Sequence, residues 1–164
     1  MEVRLRATRP ADIGFVTALE RHADNREFIG QWSDAEHFSA IAGERGREHW
    51  IVECDAAPAG YLIAYDCRAA DAGCYVKRLL VADKGRGIGT AALREYCRRA
   101  FGRESVSSVW LIVLASNARA QRVYRNLGFE RYDPSPEDEK RYDAAAEPPI
   151  AGAFRMRLAG RLLA

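Results

Sequence analysis

The sequence has no apolar run longer than the seven residues Val109–Ala115, far too short for a helix that crosses a bilayer. It lacks an apolar N-terminal segment of the signal-peptide kind, so the expectation is a cytoplasmic protein. It lacks a surplus of either charge. Its 25 Lys and Arg against 23 Asp and Glu leave +2, too little to draw the chain onto nucleic acid or a membrane surface. Cysteine is sparse: Cys54, Cys67, Cys74 and Cys97 show no CxxC spacing and read as reduced, partly buried thiols. His22, His37 and His49 share no ligand spacing, so no metal is expected; they read as structural or solvent-facing, with His49 kept as a site candidate. No repeat or linker divides the 164 residues, a length that suits one domain over 1–164.

What is present is a succession of short β-rich runs and amphipathic helices. Val3–Ala7 reads as a first strand, and Arg9-Pro10-Ala11-Asp12 opens a helix with Phe15, Val16 and Leu19 on one face. "NREFIGQWS" is an aromatic loop, after which Ser33 caps a second helix with Glu36 completing the capping box. "HWIVEC" and "GYLIAYDC" are strands joined through a hairpin at "DAAPAG", and "CYVKRLLVA" is a third. A helix carrying Leu93, Tyr96, Cys97, Ala100 and Phe101 on one face follows, then the apolar strand "SSVWLIVLA". Asn117 starts a helix whose inner face is Ala120, Val123, Tyr124 and Leu127, closed by Gly128. "FERYD" and "AFRMRLAG" are the last strands, and the proline-rich, charged stretch 133–152 between them reads as a mobile loop. The fold class is α/β with a mixed sheet.

Chemistry concentrates in "LLVADKGRGIGT". A strand that enters a helix through glycines at 85, 87 and 89 bares backbone N–H groups where the helix dipole is positive, a place suited to phosphate, with Lys84 and Arg86 adding charge. The same glycines also fit a tight turn with no ligand. A Walker A loop is excluded because no lysine follows a glycine ahead of Thr90. A dinucleotide fingerprint is weakened, since Thr90 stands at the third glycine and Ala115 and Ser116, not an acid, end the next strand. The pattern [RQ]-x-x-G-x-[GA] fits over Lys84–Gly89, with lysine in the first place.

That segment resembles the pyrophosphate loop of the GNAT acyl-CoA N-acyltransferase superfamily. "SNARAQRVYRNLGFERY" is similar to the family's N-x-x-A-x-x-x-Y-x-x-x-G-F block, with Asn117, Ala120, Tyr124, Gly128 and Phe129 in register. The resemblance covers Cys74–Tyr132 and is similar to the branch of ribosomal-protein N-terminal and small-amine acetyltransferases. It implies a mixed, mostly antiparallel sheet splayed at its centre and flanked by helices. It implies acetyl-CoA as cosubstrate, its pantetheine arm along the backbone of Leu79, Leu80 and Val81. The diphosphate would then lie on the N–H groups of Lys84, Gly85, Arg86, Gly87, Ile88, Gly89 and Thr90, and Asn117 would meet the arm. A backbone N–H near Leu80 or Val81 would meet the oxyanion, and Tyr124 would be the general acid beside the sulfur.

Where many relatives carry a carboxylate base this chain has Tyr75; Glu53, Asp66 or a water relay are the substitutes. Arg119 and Arg122 read either as contacts to the outer phosphates or as solvated surface. The acceptor is a primary amine, of a small molecule or a protein N-terminus, expected beside the loop Phe28–Trp32; Trp32 is a lining candidate, and Glu20, Asp24, Glu27 and Asp34 keep a polycation open. A non-catalytic acyl-CoA sensor is the competing reading, against which the intact Tyr124 stands. Dimers are common among relatives.

Overall fold

The computed structural model describes residues 1–65, 73–143 and 151–160. Its frame is a sheet of seven strands: β1 (Val3–Ala7), β2 (Glu48–Cys54), β3 (Ala57–Tyr65), β4 (Cys74–Val81), β5 (Ser108–Leu114), β6 (Glu130–Tyr132) and β7 (Ala153–Ala159). They lie in the order β1-β2-β3-β4-β5-β7-β6, and β4–β5 is the parallel pair in an otherwise antiparallel sheet. This is the mixed sheet the sequence leads one to expect.

Helices cover both faces. On one lie α4 (Ile88–Phe101) and α5 (Ala118–Asn126), whose Leu93, Tyr96, Cys97 and Ala100 pack with Leu62, Val76, Val109, Leu111 and Met156. Ala120, Val123 and Tyr124 of α5 press on the same core, the inner face that helical spacing marks out. On the other face lie α1 (Ile13–Arg21), the single turn α2 (Ala23–Arg26) and α3 (Asp34–Ile41). There Val16, Phe15 and Leu19 meet Ile51, Tyr61, Ile63 and Leu80. Ser33 and Glu36 form the expected capping box, Ser33 N–H donating to Glu36 Oε2 at 2.7 Å.

Two local readings change. The stretch 133–152 holds a helix, α6 (Pro136–Asp143), capped by Ser135 with Asp138 three residues on. The serine, the proline at the first helical position and the acidic first turn were a start signal hidden in charge-rich composition. Cys74 is disulfide-bonded, so the expectation of reduced thiols stands for the free Cys54 and Cys97. Asp66 and Cys67 lie outside the described residues.

Two irregularities shape the centre of the sheet. Ile63 pairs with Arg78 and Ala64 with Val76, so Lys77 is an extra residue, a bulge in β4. The β4–β5 ladder couples Cys74–Val76 to Val109–Leu111 and stops at that bulge, whereas β5 pairs with β7 along its whole length. Beyond Val76 the two parallel strands therefore diverge, and a wedge opens in the middle of the sheet. Near its wide end, a Cβ on Gly60 would stand 2.2 Å from the Leu80 carbonyl oxygen, so only glycine lets β3 approach β4 there.

Candidate active site

Both parallel strands deliver a helix N-terminus to the wide end of the wedge, α4 from β4 and α5 from β5. A crevice at the carboxyl ends of parallel strands is a recurrent place for ligands in α/β folds. On the β4 side the chain bends through Gly85 (φ 85°) and Gly87 (φ 80°), both left-handed, where a side chain would be strained. Gly87 is the N-cap of α4 and offers no side-chain cap. The first internal bond runs from Ala91 N–H to Gly87 O at 3.0 Å, so the amides of Ile88, Gly89 and Thr90 precede the helical ladder. Amides so placed at a helix N-terminus are suited to an anion. The Ile88 side chain itself is buried in the core, which leaves its backbone for any ligand contact.

The basic side chains of the bend are engaged elsewhere. Lys84 Nζ donates to the Asp24 carbonyl at 2.8 Å, and Arg86 donates to Asp83 at 3.0 Å. Desolvation lowers the Lys84 ammonium somewhat. Along β4, Leu80 turns its side chain to the α1 face, while Leu79 and Val81 turn theirs to the α4 face.

On the β5 side, Asn117 caps α5 by accepting from Ala120 N–H at 3.1 Å, and its side-chain amide nitrogen is left for another partner. Tyr124 is half-buried with its ring 5.9 Å from Phe129. Burial pushes its phenol up to about 12, so it holds its proton through neutral pH. Arg119 and Arg122 are exposed.

The face under α1–α3 holds a polar network invisible in the linear sequence. Glu20 Oε1 accepts from the Tyr61 hydroxyl at 2.5 Å and from the Arg78 guanidinium, and Glu20 Oε2 accepts from Trp32 N–H at 3.1 Å. His37 Nε2 lies 3.3 Å from Glu20 Oε1, close but poorly aligned, and His37 Nδ1 meets His49 Nε2 at 3.1 Å. His49 Nδ1 in turn meets Thr8 Oγ1 at 2.8 Å. Burial alone would raise the Glu20 carboxyl; His37, Arg78, Tyr61 and the Trp32 amide outweigh it and hold the group at about 2. Burial drives the His49 imidazole down to about 3, with His37 adding to the shift. Two histidines with no shared spacing thus become neighbours through the β2–α3 packing.

The candidates for a base and for acceptor contacts fall in different places. Glu53 is bound to Arg6 at 2.6 Å on the β1–β2 side, and β3 stands between its strand and β4. Tyr75 lies at the narrow end of the wedge, buried, stacked on Trp110 at 4.2 Å and edge-on to Tyr65 at 5.7 Å. Trp32 is half-buried with the Arg78 guanidinium 5.1 Å from its ring and Arg47 at 5.7 Å. Of the acids once grouped by sequence, Glu20 is buried against Arg78, while Asp24, Glu27 and Asp34 are exposed. Arg78 and Tyr61 escaped the sequence reading; an arginine inside the apolar run "YVKRLLV" was the available signal.

The sequence matches the acetyltransferase (GNAT) family over residues 17–129. A curated relative, the mycothiol acetyltransferase of Renibacterium salmoninarum, is 33% identical over 109 residues, 63% of this chain and 29% of that protein. The match therefore spans under a third of the relative's length. Among solved structures, the aminoglycoside acetyltransferase AAC(6′)-Ib in complex with coenzyme A superposes with a TM-score of 0.74 at 20% identity, covering 96% of this chain and 95% of that one. A spermidine N-acetyltransferase SpeG chimera from Vibrio cholerae and hSSAT gives 0.76 at 17% identity, covering 98% and 97%. At these identities the likeness is one of fold.

Proposed function

The chain belongs to the acetyltransferase (GNAT) family, and from that premise we propose that it moves the acetyl group of acetyl-CoA onto a primary amine by direct attack in a ternary complex. The observation that carries this reading is the uncapped α4 N-terminus behind two left-handed glycines, set beside a β4 edge that β5 has left. A diphosphate finds amide donors from Lys84 to Thr90, and an amide-bearing arm finds the strand edge at Leu79–Val81. Lys84 and Arg86 reach the phosphates only by leaving Asp24 and Asp83.

The amine nitrogen attacks the thioester carbonyl carbon, a backbone N–H near Leu80 or Val81 meets the developing oxyanion, and the carbon–sulfur bond breaks. Tyr124 supplies a proton to the departing thiolate and recovers one from solvent, while the nitrogen sheds its own to water. The water route is favoured because Glu20 at about 2 is too acidic to hold the amine's proton and Glu53 is tied to Arg6. Asn117 binds the arm through its amide nitrogen. For the acceptor, small-molecule amines and protein N-termini share the same attacking atom, and Trp32 walls their approach.

A thermal-shift panel tests the donor: CoA and acetyl-CoA raise the melting temperature, and ATP, NAD and NADP leave it unchanged. Thiol release is then followed over spermidine, kanamycin and peptides with free N-termini. A protein that binds CoA and releases no thiol with any amine is the non-catalytic sensor instead.

A further inference from the structure

The acetyl-transfer roles above leave one buried charge pair unused. Glu20 and Arg78 stand 58 positions apart, with side chains 1% and 3% exposed. A buried ion pair is a poor source of stability, since apolar residues of like volume do as well or better. Its placement is more telling. Arg78 directly follows the bulged Lys77 and directly precedes Leu79–Val81, the strand edge read above as the partner of the amide-bearing arm and the source of the oxyanion's donor.

The bulge has two effects. It inserts one residue, so Arg78 points to the α1 face together with Leu80, whereas strict alternation would send it into the apolar α4 face. It also loosens the ladder where the backbone must hold a fixed aim. The guanidinium answers the second effect. It is held by Glu20, whose carboxylate also accepts from the Tyr61 hydroxyl and the Trp32 amide. It lies over the Trp32 ring, 5.1 Å from the ring centre. Strands β3 and β4, helix α1 and the Trp32 loop thus converge on one side chain.

The geometry points to Arg78 as a positioning residue: through its buried pair with Glu20 it holds the Lys77 bulge so that the amides of Leu79 and Val81, on the side of β4 turned away from β3, face the wedge at a fixed angle. This rests on the reading of those amides as the carbonyl's donors. The test uses [1-13C]acetyl-CoA bound to the full chain, with the carbonyl carbon shift reporting polarisation by the amides, calorimetry reporting CoA affinity, and thermal unfolding reporting stability. In the double variant Glu20→Met/Arg78→Met the protein still unfolds cooperatively, at a lower Tm because the Tyr61 hydroxyl and the Trp32 amide lose their acceptor. CoA affinity stays within about threefold, the carbonyl signal moves back toward that of free acetyl-CoA, and thiol release falls by at least about tenfold. Arg78→Lys keeps the charge but not the planar fork, and it shifts the signal in the same direction. An unchanged carbonyl signal in either folded variant overturns the positioning role. A wild-type protein that binds acetyl-CoA without shifting its carbonyl removes the amide assignment and this role together, whereas failure to bind CoA at all refutes the cofactor reading itself.

Discussion

Acidification to pH 5.5 weakens the fold through His49, and the size of the effect follows from its surroundings. The imidazole is 5% exposed, stacked on Tyr61 at 5.6 Å, bonded to Thr8 and His37, and neighboured by Glu20, Arg78 and Asp12. Burial takes it from an ordinary 6.5 to about 3. An unfolded chain protonates this residue below about pH 6.5 and the folded chain does not. Between these values the unfolded state holds more protons, so stability falls as pH falls, by up to ~1.4 kcal/mol per pH unit. From pH 7.5 to 5.5 the loss is therefore about 1–1.5 kcal/mol, which for a domain of this length lowers Tm by roughly 3–5 °C. Glu20, at about 2 in the fold against an ordinary 4.5, adds a second loss of the same sign at more acid pH. Urea titrations at the two pH values measure the slope, and His49→Gln flattens it. Equal unfolding free energies for the wild type at pH 7.5 and 5.5, or an undiminished slope in His49→Gln, would refute the reasoning.

Tyr124→Phe keeps the packing against Phe129 and removes the phenolic proton; kcat falls roughly ten- to ten-thousandfold with little change in the KM for acetyl-CoA, and an unaltered kcat takes Tyr124 out of the mechanism. In the wild type the high phenol pKa of about 12 means that the alkaline limb of the kcat profile shows no break from this group below about pH 11. Gly87→Ala places a Cβ at φ 80° at the α4 N-terminus, costing about 1–2 kcal/mol of backbone strain; calorimetry shows weaker CoA binding, and full affinity would move the diphosphate elsewhere. Ala56 follows Asp55 in the β2–β3 turn with both at positive φ, 67° and 50°, so Ala56→Gly relieves strain and stabilises by up to about 1 kcal/mol in denaturant titration with no effect on CoA affinity.

What the sequence determined alone is what short-range physics governs. Glycines at 85 and 87, the caps at Ser33 and Asn117, the inner faces of α4 and α5 and the strand runs each depend on neighbours within a turn or a hairpin, so they are legible one after another. The family block from Asn117 to Phe129 is local in the same sense. Even the overlooked α6 carried its own start signal at Ser135-Pro136. Tertiary structure decided the rest, because pleat and register are global. One extra residue at Lys77 ends the β4–β5 ladder, opens the wedge and turns Arg78 toward Glu20. The same packing brings His37 to His49, binds Glu53 to Arg6 and sets Tyr75 against Trp110. Side-chain periodicity in a strand reveals that a residue alternates, but only the paired strand fixes which face it takes and which distant charge it meets there.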